Sequence, residues 1–373
     1  MENEKDLKLK LRIMRFLWYN GFFTRKNIDI YKYEYGKKTQ HQYTDIDAFG
    51  IRFHENFTNY MINCDCKSGK NVKIKDRIFW VSGLMNYIHS DKSILVVKDL
   101  DESKYYSLSK SLNILPLSEH RLSELEDNYK IKKMPNCGPF DYNNVLLEEK
   151  IFNNLKAKLK DAFIYLKIKY WSQKPHKQIT ALLSCLRDID NLNFQNKNYK
   201  LFLILYIFSL FTVSILKFSE PLLTFSNKKR EQYIKEKIAG GSVDSSMIGE
   251  LYSSFYNFMK AEIKHRYNAE YPVSKNDFVN MMYPNYIKYL SDLIYRISIS
   301  PSDAVTLPNF MDVISYEFVL KNKKNDLEKK IFSFNHQSDV KKVCKLAKDI
   351  FLFAKRSNLL SEETYNEIID LIK

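Results

Sequence analysis

The sequence predicts an α/β domain at the N-terminus followed by an all-α region, and three observations carry that expectation. Up to about residue 130, short helical and strand-like segments alternate, whereas Lys/Leu/Ile/Phe stretches with helical spacing dominate beyond it. Glycine and proline number only nine each in 373 residues, too few for a turn-dense all-β chain. A hydrophobic fraction of 45%, with 14% aromatics, supplies packed cores and excludes wholesale disorder.

The first element is a helix over 7–19, where apolar residues recur at a mostly helical spacing until Asn20-Gly21 stops it. Three strands follow, at 28–35, 45–53 and 60–67. The first closes on the turn Gly36-Lys37-Lys38, and the stretch HENFTN joins the second to the third. A helix over 74–89 leads into the continuous apolar run 93–97, which has the look of a buried parallel strand. A helix at 105–112, a strand at 114–117 and a helix from about 120 complete the unit. The order is α-β-β-β-α-β-α-β. MPNCGPF, with two prolines and a glycine, marks the boundary between a domain at 1–134 and a helical domain at 141–373. Within the latter, AGGSVDSS (239–246) and SPSDAVTLP (300–308) are expected as loops, the first as a subdivision.

Lysine and arginine total 59 against 44 acids, a formal charge of +15, which suits a polyanionic partner, nucleic acid before membrane. The chain is also rich in Lys, Asn, Ile, Tyr and Phe, and such a bias raises the charge without any partner. Five cysteines give no disulfide framework, and Cys64-x-Cys66 has no second pair to complete a zinc site. The charged start lacks the apolar core of a secretory signal, so a cytoplasmic location is expected. The seven histidines form no metal-ligand spacing, and no P-loop or G-x-S-x-G occurs. The apolar run 201–216 is short for a membrane span, which takes about 20 residues, and reads better as a buried core helix.

The chemistry lies between residues 44 and 77. The second strand reads Thr44-Asp45-Ile46-Asp47, and the third ends Asp65-Cys66-Lys67-Ser68-Gly69. Strand alternation points Asp65 and Lys67 to one face and Ile62, Cys64 and Cys66 to the other. Antiparallel pairing delivers a carboxylate of the second strand beside Asp65. Two such carboxylates repel unless a positive charge lies between them, and oxygen ligands suit Mg²⁺ or Mn²⁺. Singly, each residue would be a solvated strand position or a surface ion pair. Three aspartates and a lysine in apolar strands are costly without a purpose. Lys70, Lys73, Lys75 and Arg77 follow within ten residues and suit a phosphate backbone, or else form the solvated start of a helix. Tyr31, Tyr33 and Tyr35 alternate on one face, more suited to packing than to stacking on bases. Likewise, WSQKPHKQ (171–178) reads as an interhelix loop before a nucleic-acid contact.

A short αβββαβ unit with T-D-I-D on its second strand and D-x-K-S-G on its third resembles the PD-(D/E)XK nuclease superfamily. The resemblance covers about the first 130 residues and implies a restriction-endonuclease-like core with a mixed sheet. It also implies metal-dependent endonucleolytic hydrolysis, most often of DNA in restriction or antiphage defence. Carried over residue by residue, Asp47 and Asp65 would be metal ligands together with the Cys66 backbone carbonyl, and Lys67 the catalytic lysine. Asp45 is the fallback for Asp47, on the expectation that the two face opposite sides of the strand. Relatives often add a glutamate from the first helix; here that helix offers Glu2 and Glu4, at its start. The alternative is a non-enzymatic nucleic-acid-binding or assembly subunit on a degenerate nuclease fold, acting as a homo-oligomer or with a partner protein.

Overall fold

The computed structural model describes residues 4–32, 41–69, 72–240, 245–281, 283–322 and 339–372. Helix α1 (Glu4–Tyr19) is followed by β1 (Phe23–Lys32), β2 (His41–Phe53) and β3 (Asn59–Lys67). Then come α2 (Ile74–Ile88), β4 (Lys92–Val97), α3 (Glu102–Ser111), β5 (Ile114–Ser118) and α4 (Glu119–Asn128). The expected order of elements is therefore the observed one. The turn expected at Gly36-Lys37-Lys38 lies outside the described residues, as do Tyr33 and Tyr35.

The five strands form one mixed sheet in sequential order: β1, β2 and β3 pair antiparallel, and β3, β4 and β5 parallel. Each parallel step needs a helical crossover, and α2 and α3 provide them. On β4, Leu95 and Val97 face α2 and α3 in a small apolar cluster with Ile78 and Val81, while Ile94 and Val96 face the main core. That explains why β4 is apolar on both faces. Gly21, at φ +81°, ends α1 in a left-handed turn that a side chain would strain.

The rest of the described chain is helical. It includes α5 (Tyr142–Lys158), α6 (Lys160–Ile164), α7 (Pro175–Asp190) and α8 (Lys197–Ser219). Residues 201–216 of α8 are all buried. Among the described residues α8 is the one helix long and apolar enough to cross a membrane, and protein covers it on every side. It supplies the centre on which the other helices pack, and the same apolar cluster runs on into α1 and the sheet.

The segment MPNCGPF is not a free linker. Gly138, Pro139 and Phe140 are buried, the Gly138 N–H donates to Glu317 Oε1 at 3.1 Å, and Phe140 meets the edge of Trp18 at 5.6 Å. SPSDAVTLP is not a loop either. It folds as the short helix Pro301–Ala304 and the start of Leu307–Val313, with Ala304 and Leu307 fully buried. Proline reads as a breaker in sequence but sits here at helix starts, where its missing N–H costs nothing. The subdivision at 239–246 lies partly outside the described residues. The stretch 171–178, expected as an interhelix loop, is mostly helical: Tyr170–Ser172 is a 3-10 turn and Pro175 opens α7, while Trp171 packs edge-on against Phe49 at 5.3 Å.

Candidate metal and phosphate site

The last β2–β3 register pair is Ala48 with Cys64, after which the strands part. At that opening the Asp47 carboxylate takes over the ladder, and its Oδ2 accepts the Cys66 N–H at 2.8 Å. The N–H and C=O of a strand residue point to the same side, so the Cys66 carbonyl also faces the gap. Asp65 is brought alongside from β3, and Asp47 and Asp65 are both almost fully buried. Lys67 Nζ lies 3.4 Å from Asp47 Oδ2 and 3.5 Å from Asp65 Oδ1, bridging them. Its side chain is 36% exposed, the opening of the cluster to solvent.

Two further cations complete the arrangement. Lys10 Nζ lies 2.7 Å from Asp47 Oδ1 and also donates to Asn27 Oδ1 at 2.8 Å. Arg77, on the first turns of α2, donates from Nε to Asp65 Oδ2 at 2.5 Å and from Nη2 to Asp65 Oδ1. Its guanidinium stacks over Trp80, 3.8 Å from the ring centroid. Burial works to raise both acids. For Asp47 the charges of Lys10 and Lys67 outweigh it and hold the carboxyl below its ordinary range. For Asp65 burial prevails over Arg77 and Lys67, and the carboxyl is pushed up.

Sequence reasoning did not find Lys10 or Asp6. Lys10 lies on the apolar stripe of α1 between Leu7 and Met14, one turn to either side, and is itself buried. A lysine on a buried helix face needs an anion, and that was the available signal. Asp6, one turn earlier, accepts from the Ser68 N–H at 3.2 Å and from Ser68 Oγ at 2.5 Å, pinning the end of β3. The first helix thus sends a lysine to the aspartate pair, while of its two acids Asp6 goes to Ser68 and Glu4 to Lys8.

Asp45 needs a correction. Residues two apart on a strand share a face, so Asp45 and Asp47 lie on the same side of β2 and not on opposite sides. Asp45 is exposed, beside Asp29 across the β1 register; Asp29 is pushed up by burial and by this neighbouring charge. Lys73 and Lys75 are exposed and have no ionic partner among the described residues. Arg77 turns inward onto Asp65, away from that basic rim. Lys70 lies outside the described residues.

The donor set is one of hard oxygens, two carboxylates and a backbone carbonyl, which fits Mg²⁺ or Mn²⁺ by chemistry. All four carboxylate oxygens already bear a cation or an N–H, so an ion entering here has to displace Arg77 from Asp65. No group of three or more His, Cys, Asp and Glu side chains able to hold a metal occurs among the described residues. Chemically, the arrangement concentrates positive charge around two buried acids at a solvent opening. No family model, curated protein or solved structure matches the chain.

Proposed function

We propose that this chain is a metal-dependent endonuclease that hydrolyses phosphodiester bonds, DNA first among its substrates, on a restriction-endonuclease-like core. The observation that supports this reading is the meeting of Asp47, Asp65 and Lys67 at the opening between β2 and β3, with one ammonium within 3.5 Å of both carboxylates. Asp47, Asp65 and the Cys66 carbonyl would hold Mg²⁺ or Mn²⁺, which when bound supplies Lewis acidity and positive charge at the scissile phosphate. Lys67 is the most exposed of the three cations, so it can orient a water and offset charge on a phosphate oxygen. Lys73 and Lys75 offer backbone-phosphate contacts beside it. Arg77 releases at least one Asp65 oxygen for the ion and becomes free to meet the substrate. A cytoplasmic role in restriction or antiphage defence is the setting this reading favours.

One observation favours the second reading, a nucleic-acid-binding or assembly subunit without catalysis. Three cations face two carboxylates, so the pair is neutralised without a metal. Such a module binds nucleic acid in EDTA and never cuts.

The test is cleavage of supercoiled plasmid and of short single- and double-stranded DNA and RNA with Mg²⁺ or Mn²⁺. Asp65→Ala and Lys67→Ala are run in parallel. Cleavage that EDTA and both substitutions abolish is expected. Cleavage persisting in both variants would remove the site from consideration, and retention of nucleic acid without cleavage would favour the binding module.

A further inference from the structure

The helix Ser245–Tyr267 leaves one apolar face uncovered. Met247, Leu251 and Phe258 are 58–65% exposed; Phe255, 48% exposed, lies at the edge of this face with its ring 5.9 Å from Phe278, and Tyr252 and Tyr256 turn the other way, onto Tyr283 and Phe278. Met247, Leu251, Ser254, Phe258, Ala261 and His265 are all exposed and recur at alternating steps of four and three. That is the a/d spacing of a two-helix seam. Large side chains contiguous on a surface mark an interaction site.

We propose that this face is a self-association surface on which two copies of the chain pair antiparallel, about a two-fold axis near residue 256. Volume and charge both select a second copy in that orientation. Antiparallel a/d layers set Leu251 of one copy against Ala261 of the other and Phe258 against Ser254, large against small in these central layers, with Met247 against His265 at the ends, so the central layers interdigitate. Glu250 and Lys264 lie on one flank of the seam, one on either side of its middle, and both are exposed without an ionic partner among the described residues. The two-fold brings Glu250 of each copy beside Lys264 of the other, so the pair forms twice; parallel helices leave both charges unmatched. An isologous contact of this kind closes at two subunits.

The test is the mass of the full chain in solution by light scattering over a range of concentrations. A dimer is expected. Glu250→Lys should weaken it by at least about tenfold by setting like charges together. Adding Lys264→Glu to that variant should restore it. Phe255→Cys, beside the axis, should form a disulfide-linked dimer that the parent chain does not. A parent chain monomeric at every concentration, or a double variant no better than Glu250→Lys alone, overturns the proposal. So does a monomer that binds anionic vesicles through the same face, shown by loss of binding in Phe258→Glu; that result would make the helix a membrane-surface element.

Discussion

Two buried clusters of acids and bases invite comparison, one at the β2–β3 opening and one where β1 meets the helices. In the second, Arg25 donates to both oxygens of Asp312, at 2.6 and 2.8 Å, and to Ser209 Oγ at 2.7 Å, with its guanidinium over Phe23 and Tyr206. Beside it Glu148 takes Lys167 at 2.8 Å on one oxygen and Tyr316 at 2.8 Å on the other. Lys167 and Tyr316 come from two π-helical segments, Tyr165–Lys169 and Ile314–Leu320. The extra residue in each turn shifts which side chains face inward. Each acid there has its own base, and Arg25 and Asp312 are sealed from water. At the opening, two acids share three bases, and two of these, Lys67 and Arg77, are partly open to solvent. Burial of charge is common to both clusters; the crowding of two acids at the opening is what the proposed function rests on.

Paired substitutions separate the two clusters most sharply. Asp312→Asn leaves Arg25 buried without its counter-charge and should cost about 3–5 kcal/mol in chemical denaturation. Asp65→Asn should cost well under half of that while abolishing cleavage. Equal stability losses without loss of cleavage would make the opening a structural network like the other.

Glu148 adds a pH signature on the structural side. Burial raises its carboxyl, but Lys167 and Lys26 outweigh it and hold the pKa at about 2, against an ordinary 4.5. A depressed acid stabilises the fold above its unfolded pKa and loses that contribution as pH falls through the folded one. Glu148→Gln should thus cost about 3 kcal/mol at neutral pH, with the gap to the parent closing between pH 4.5 and 2. A gap that stays constant with pH would mean that packing, and not charge, dominates there.

Lys217, at the end of α8, is a base without a carboxylate partner among the described residues. Burial pulls its pKa down to about 8, and its nearest polar contact is the Met61 sulfur at 3.9 Å. The unfolded chain binds this proton more tightly, so the charge weakens the fold below pH 8 and the penalty lifts as pH rises towards 10.5. Lys217→Met should stabilise the protein by about 1–2 kcal/mol at pH 7. A melting temperature that does not rise at pH 7 would show that the ammonium reaches water.

The smallest expected effect is at the basic rim. Lys73→Ala and Lys75→Ala should each weaken nucleic-acid binding a few-fold, across all sequences, and lower the salt dependence by about one ion. Salt titrations of a gel shift measure this, and unchanged slopes would place the nucleic-acid path elsewhere.

The legible part of this protein was periodic. Alternation in Met61–Lys67 puts Asp65 and Lys67 on one face, and the continuous apolar run Ile94–Val97 announces a strand covered on both sides. The errors arose where one local signal was asked to settle a non-local matter. Proline in 300–308 suggested loops, yet those residues start two buried helices. The run 201–216, by contrast, reads better as a buried core helix than as a membrane span, and all of it is buried.

The amino-acid sequence by itself determined the order of elements, the alternation that pairs Asp65 with Lys67, and a central apolar helix, because each depends on residues within a few positions of one another. Only the tertiary structure decided that β2 joins β3 from Ala48 onward, that Lys10 and Arg77 close on the aspartates, and that Arg25 finds Asp312 almost three hundred residues away. Those contacts depend on how separately formed elements dock, and no spacing along the chain encodes the distance between them.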